Sequence, residues 1–169
     1  MEVTEVKRLP NFTITDIMFV QELFGGGNCK MSTQLVLFKI NNEIFAIGIN
    51  NVNIIERITD IYKVPDTPEY IDGLINLRGK VHTVFNLRKK FGYLPKESDD
   101  NTRIIILNHQ SNVGLLVDEV MEIFSAEDSE VKPAPELISG ISGKFFSGVI
   151  ERDGRIVLIL DLEKLFEVK

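Results

Sequence analysis

The 169-residue chain has no tryptophan, one cysteine and two histidines. A lone thiol, Cys29, excludes an internal disulfide and a cysteine-rich zinc site, which fits a reducing compartment. His82 and His109 stand 27 residues apart with no neighbouring ligand to complete a metal shell. Basic residues are also in short supply, 19 against 25 acids, and a net charge of −6 repels nucleic-acid backbones. The apolar runs are short. Ile156–Leu160 covers a quarter of the roughly 20 residues that a membrane-spanning helix requires. Glu2 and Glu5 precede the apolar run Ile17–Val20, the reverse of a secretory signal's charge order. A cytoplasmic protein with no membrane insertion is expected.

Familiar signatures of catalysis are missing as well. Five residues separate Gly73 from Gly79 where a phosphate loop needs four, and Val81 occupies the Ser/Thr position. The Gly25-Gly26-Gly27 run lacks dinucleotide spacing, and no G-x-S-x-G elbow occurs. Asp99-Asp100 and Glu127-Asp128 lie in loop-like stretches, where acids serve solubility. No enzyme, cofactor or metal is expected.

What the chain has in abundance is β-branched residues, 21 Ile and 15 Val among ordinary fractions of 44% hydrophobic and 26% charged residues. Such density favours pleated strands. Three hairpins are predicted: Gln34–Ile40 with Glu43–Ile49 across Asn41-Asn42, Leu74–Leu77 with Val81–Phe85 across Arg78-Gly79-Lys80, and Gly148–Glu151 with Arg155–Leu160 across Asp153-Gly154. Leu87–Phe91 and Leu162–Phe166 have apolar residues four apart and read as short helices.

Compared with itself, the sequence shows a repeat. Thr102–Ile106 resembles Gln34–Phe38 and Leu115–Val120 resembles Ile47–Val52, both at an offset of 68. Pro135–Gly140 matches Pro68–Gly73 at 67, and Asp161-Leu162 matches Asn86-Leu87 at 75, which places inserted residues around Gly143–Gly148. Units of about 60 residues bury too little apolar surface alone, so the two are expected to share an interface. Pro95–Asn101 is polar and marks the boundary between them. Residues 1–30 fall outside the repeat as an N-terminal extension with a possible helix Thr15–Phe24; Met31 is an alternative start.

One segment is specific. Pro65-x-x-Pro68-x-Tyr70-Ile71-x-Gly73-Leu74-Ile75-Asn76-Leu77-Arg78-Gly79, followed by Val81, Val84, Leu87 and Arg88, closely resembles the CheW family of chemotaxis coupling proteins. Val117-Asp118-x-Val120 and Leu160-Asp161-Leu162-x-x-Leu165 extend the resemblance from about Gln34 to Phe166. It implies a mainly β domain over 31–169, built as two pseudo-repeated, SH3-like five-stranded barrels around a shared core, the first about 34–92 and the second about 102–166. It further implies a non-catalytic scaffold joining the cytoplasmic tips of methyl-accepting chemoreceptors to the regulatory domain of the histidine kinase CheA. The resemblance also implies other CheW-like domains in receptor arrays as partners, with no nucleic acid. A coupling protein of a pilus or developmental pathway is the alternative, and a small-ligand-binding barrel a more distant one.

The resemblance assigns kinase contacts to Val52 and Gly73, and receptor contacts to Arg78, Ile104 and Gly114, with Asn76 in the same motif. Strand alternation from Ile47 to Ile55 adds Ile49 and Ile54 as an outward docking surface, although Ile49 is equally placed to be core, and the resemblance adds Glu56, the acid two positions past Ile54, to the kinase side. Arg78 has two readings: an ion pair with an acid such as Asp118, or a fork presented to a partner. Two departures stand out. Ile54 occupies a position where the family pattern has an acid, while the second copy keeps Glu122. Asn86 replaces the Asp retained at Asp161, removing the charge from a cap.

Overall fold

The computed structural model describes residues 32–108, 112–138 and 140–167. The predicted extension, with Thr15–Phe24, Cys29 and Met31, and His109 lie outside the described residues. In chain order the elements are β1 (Ser32–Ile40), β2 (Glu43–Gly48), β3 (Val52–Arg57), β4 (Ile71–Leu77), β5 (Lys80–Asn86), α1 (Leu87–Lys90), β6 (Arg103–Leu107), β7 (Val113–Val117), β8 (Glu119–Glu127), β9 (Leu137–Ile138), β10 (Ile141–Ser142), β11 (Phe146–Arg152), β12 (Arg155–Leu160) and α2 (Leu162–Leu165). The three predicted hairpins form. Their turns rest on left-handed residues: Asn41 at φ 58, Arg78 and Gly79 at 52 and 81, Asp153 and Gly154 at 50 and 73. At the latter two, consecutive positive φ values carry a two-residue turn between twisted strands. The predicted helices are single turns, capped by Asn86 accepting from Lys89 N at 3.1 Å and by Asp161 accepting from Lys164 N at 3.2 Å.

The sheets correct the barrel expectation. Sheet one runs β11-β12-β2-β1-β8 and sheet two β3-β6-β7-β5-β4, each five-stranded and mixed, and neither closes into an SH3-like barrel. The edge strands β3 and β4 share no ladder; a single bridge, Tyr62 to Leu74, connects the chain leaving β3 to β4. Sheet one repeats this with a bridge from Lys132 to Val149 beside its edges β8 and β11. Prolines explain why neither bridge grows into a ladder, because Pro65 and Pro68 at one seam and Pro133 and Pro135 at the other lack the N–H a strand must donate.

The sheets also do not correspond to the sequence halves. Each half gives its first hairpin to one sheet and three later strands to the other, with β9 and β10 paired only with each other: β1 and β2 join β8, β11 and β12, while β6 and β7 join β3, β4 and β5. Parallel pairs β2·β12 and β5·β7 seal the two exchanges. The repeat is therefore a mutual loan of hairpins between halves. It also moves one alignment. β4 and β11 carry equivalent bulges, after Ile71 and after Phe146, so the counterpart of Gly73 is Gly148 rather than Gly140.

Central strands bury both faces, which explains their unbroken apolar runs. Between the sheets, Val36, Phe38, Phe45, Ile105, Leu115 and Leu158 belong to one shared core that also takes Leu87 and Leu165 from the helices. Phe45 stacks on Phe38 at 5.8 Å and on Phe91 at 5.4 Å. Alternate residues point the other way into two smaller clusters, Leu35, Leu37, Ala46 and Ile159 in sheet one and Ile75, Val84, Ile104 and Ile106 in sheet two.

Candidate functional site

Sheet two gathers most of the candidate residues on its outer face. Reading the register across the strands, Ile54 pairs with Ile106, Ile106 with Gly114, Gly114 with Val84, and Val84 with Gly73. Glu56 pairs with Ile104 one row along. Positions assigned separately to kinase and receptor thus interleave on one surface.

Their exposures divide them. Ile104 is fully buried, and Gly114 is buried beneath it, where an added Cβ would lie 2.7 Å from Ile104 Cγ2 and 2.9 Å from Ile106 Cδ1. Both build the floor of the outer cluster. Gly73, at φ 143, brings its backbone so close to Tyr62 that a Cβ would lie 2.2 Å from the carbonyl oxygen; its role is to let the seam bridge form. Val52 is buried in the shared core. Ile49 packs against that core while partly exposed, in a single 3-10 turn over Ile49–Asn51. Ile54 is partly buried against the sheet-two cluster, and Ile55 against the shared core, because the bulge after Val52 and the edge position of β3 let both sides be covered.

The accessible part of the site is the tip of the β4–β5 hairpin. Asn76 is exposed and its Oδ1 accepts from Gly79 N at 3.0 Å, which shapes the turn. Arg78, with a side chain 73% exposed, reaches across the open seam to Glu56 Oε1 at 3.5 Å. Asp118 is not its partner. That carboxylate holds Arg88 at 3.0 Å and accepts from Asn41 N at 2.8 Å. An exposed pair as long as Arg78–Glu56 is worth about 1 kcal/mol at most, so most of the guanidinium's hydrogen-bonding capacity faces solvent.

Val81, cross-strand from Asn76, is 53% exposed and completes the tip with an apolar spot. The exposed Tyr62 flanks β4. Sequence reasoning missed both as surface residues, since Val81 sits in an apolar run and Tyr62 in a segment without periodicity; the bound Arg78-Gly79 turn two residues before Val81 is the available signal for the former. Behind the tip, His82 is buried opposite Ile75, and burial followed by the charge of Lys80 lowers its pKa below 6.5.

The departure at Asn86 is compensated in space. Its amide Nδ2 donates to Asp72 at 2.8 Å, and Asp72 also holds Lys89 Nζ at 2.7 Å. An aspartate at position 86 would face another carboxylate, so the negative charge near α1 has moved to Asp72. Among the described residues, no cluster of three His, Cys, Asp or Glu side chains could hold a metal ion, and no helix is long and apolar enough to cross a membrane.

A model of the CheW-like domain family matches residues 34–169. The chain is 32% identical over 133 residues to the chemotaxis protein CheW of Klebsiella aerogenes, covering 78% of this chain and 80% of that protein. It is 31% identical over 139 residues to the chemotaxis protein CheW of Bacillus subtilis, covering 82% and 89%. Among solved structures it resembles the scaffolding protein TtCheW of Thermoanaerobacter tengcongensis, with a TM-score of 0.76, 34% identity, and coverage of 82% of this chain and 95% of that one.

Proposed function

This chain belongs to the CheW family, and from that premise we propose that it is a non-catalytic scaffold coupling chemoreceptors to the histidine kinase CheA in chemotaxis signalling. Members of the family bind both partners. The observation that carries the reading to particular residues is the exposed Arg78 at a hairpin tip, held only by a long ion pair and framed by Asn76 and Val81. A fixed guanidinium fork beside an apolar spot supplies register and affinity together. Arg78 and Asn76 are the receptor-tip contacts in this account. Ile54 and Glu56, partly exposed on the edge strand β3, meet the kinase regulatory domain, with Ile49 at the end of the same stretch.

Val52, Gly73, Ile104 and Gly114 act at one remove, by setting the shape of the strands that present those groups. Each contact is of micromolar order, about −8 kcal/mol, and arrays gain stability by multivalency. Location at receptor arrays follows from these partners. Isothermal titration of the full chain with the CheA regulatory domain and with a receptor tip fragment tests the reading. Binding to each is expected, Ile54→Asp weakening only the kinase titration. Absence of heat with both partners would refute it.

A further inference from the structure

The hairpin β1–β2 has an unusual position in the fold. Its ladders run to β8, from Ser32↔Glu127 to Lys39↔Glu119, and to β12, from Ile44↔Val157 to Ala46↔Ile159. None runs to β3, β4 or β5, the strands that follow it in its own half. One covalent link joins it to the rest of the described chain, the turn Ile49–Asn51. That turn has no side-chain cap and no buried residue, and backbone bonds hold it, Val52 N to Ile49 O and Asn108 N to Asn51 O at 2.8 Å.

The equivalent link in the second half is built differently. Asp118 alone connects β7 to β8, donates its N–H to Lys39 O at 3.1 Å, and is fixed by Arg88 and Asn41. The first link can straighten without breaking a side-chain hydrogen bond or ion pair, shifting only the half-buried Ile49 at the edge of the core; the second cannot, because an ion pair 14% and 18% exposed would be broken.

We propose that β1–β2 is an exchangeable unit that a second copy of this chain can supply, giving a dimer in which each hairpin completes sheet one of the other copy. All ladders, the core around Phe38 and Phe45, and the Asn41–Asp118 contact re-form in the exchanged state; only the link changes. The balance between monomer and dimer is then set by concentration and by the strain of the link. Fully extended, three residues span about 10 Å, and shortening the link removes the turn that lets the hairpin fold back on its own chain.

Deleting Asn50 and Asn51 from the full chain is the test, read by light scattering and circular dichroism. A native β spectrum at twice the 19.2 kDa chain mass is expected. A native spectrum at the single-chain mass would overturn the proposal. If the variant fails to fold, complementation decides. Full chains carrying Phe45→Asp in the hairpin or Leu158→Asp in β12 each place a charge in the shared core, and neither folds alone. Refolded together, they regain up to half the native signal if hairpins exchange, since one lobe of the mixed dimer contains neither lesion. No gain over the sum of the two separate samples would refute the exchange.

Discussion

The two sheets share one strand order and differ at the seam. In sheet one, Arg152 from β11 reaches Glu122 on β8 at 3.2 Å and lays its guanidinium 3.9 Å from the centre of the Phe124 ring, with a side chain 26% exposed. In sheet two, Arg78 lies one position further along, in the turn itself, and meets Glu56 at 3.5 Å in the open. The second hairpin carries Asp153 where the first carries Arg78. A duplicated scaffold thus uses an arginine in one half to clasp its own edges and in the other to face outward. Position relative to the turn decides whether the guanidinium is clasped or exposed, a distinction that residue type alone does not make.

The comparison breaks at once if either sheet can stand alone. Phe45→Ala removes a ring stacked in the shared core and should cost about 3–5 kcal/mol, with one denaturant transition for both sheets; two separated transitions would mean that the halves fold independently. The glycines at the seams sharpen it next. Gly73→Ala sets a Cβ hard against the Tyr62 carbonyl at an unfavourable φ, and should cost about 2–3 kcal/mol, while Gly148→Ala, at an ordinary φ and with its Cβ 2.6 Å from the movable Val131 side chain and 2.9 Å from the Lys132 carbonyl oxygen, should cost less, about 1–2 kcal/mol. Equal losses in urea titrations would remove the distinction.

Arginine truncation follows. Arg152→Ala gives up an ion pair and a cation–π contact and should lower stability by about 1–2 kcal/mol, against less than about 1 kcal/mol for Arg78→Ala. Thermal melts of the two variants compare them directly. The smallest expected effect is with pH. His82 in sheet two has Val157 as its counterpart in sheet one, and only the histidine titrates. Because its folded-state pKa lies below 6.5, the unfolded chain takes the proton first, so stability falls as pH drops through 6.5 towards the folded value. Protection factors, taken against the intrinsic exchange rate at each pH, should fall at Ile104 and Ile106 before Ile44 and Ala46 on acidification, and His82→Val should abolish the difference.

Hairpins, helices, the duplication and the family were legible in sequence because each rests on local chemistry: left-handed turn residues, caps at Asn86 and Asp161, β-branched runs, and a contiguous motif from Pro65 to Gly79. What was not legible is non-local. Nothing near Gln34–Ile49 in the sequence says that this hairpin pairs with β8 and β12 rather than with its own half. Sheet closure turns on whether two edge strands meet, and the prolines that prevent it lie between strands. Exposure was legible only in part for the same reason. Period-two alternation predicted Ile54 outward, and the residue is partly exposed with one side resting on the Ile75 and Ile106 cluster, whereas Ile104 and Gly114, assigned to a receptor contact, are buried. Arg78 had two readings in sequence, an ion pair with an acid such as Asp118 or a fork presented to a partner, and the acid it meets is Glu56 rather than Asp118.

Receptor-dependent stimulation of CheA in reconstituted assemblies, compared between Arg78→Ala and Arg152→Ala, tests the scaffold account most directly. The account predicts that Arg78→Ala loses most stimulation with its melting curve nearly unchanged, whereas Arg152→Ala, at temperatures where it stays folded, keeps it. Full stimulation by Arg78→Ala would contradict the claim that this hairpin tip carries the receptor contact.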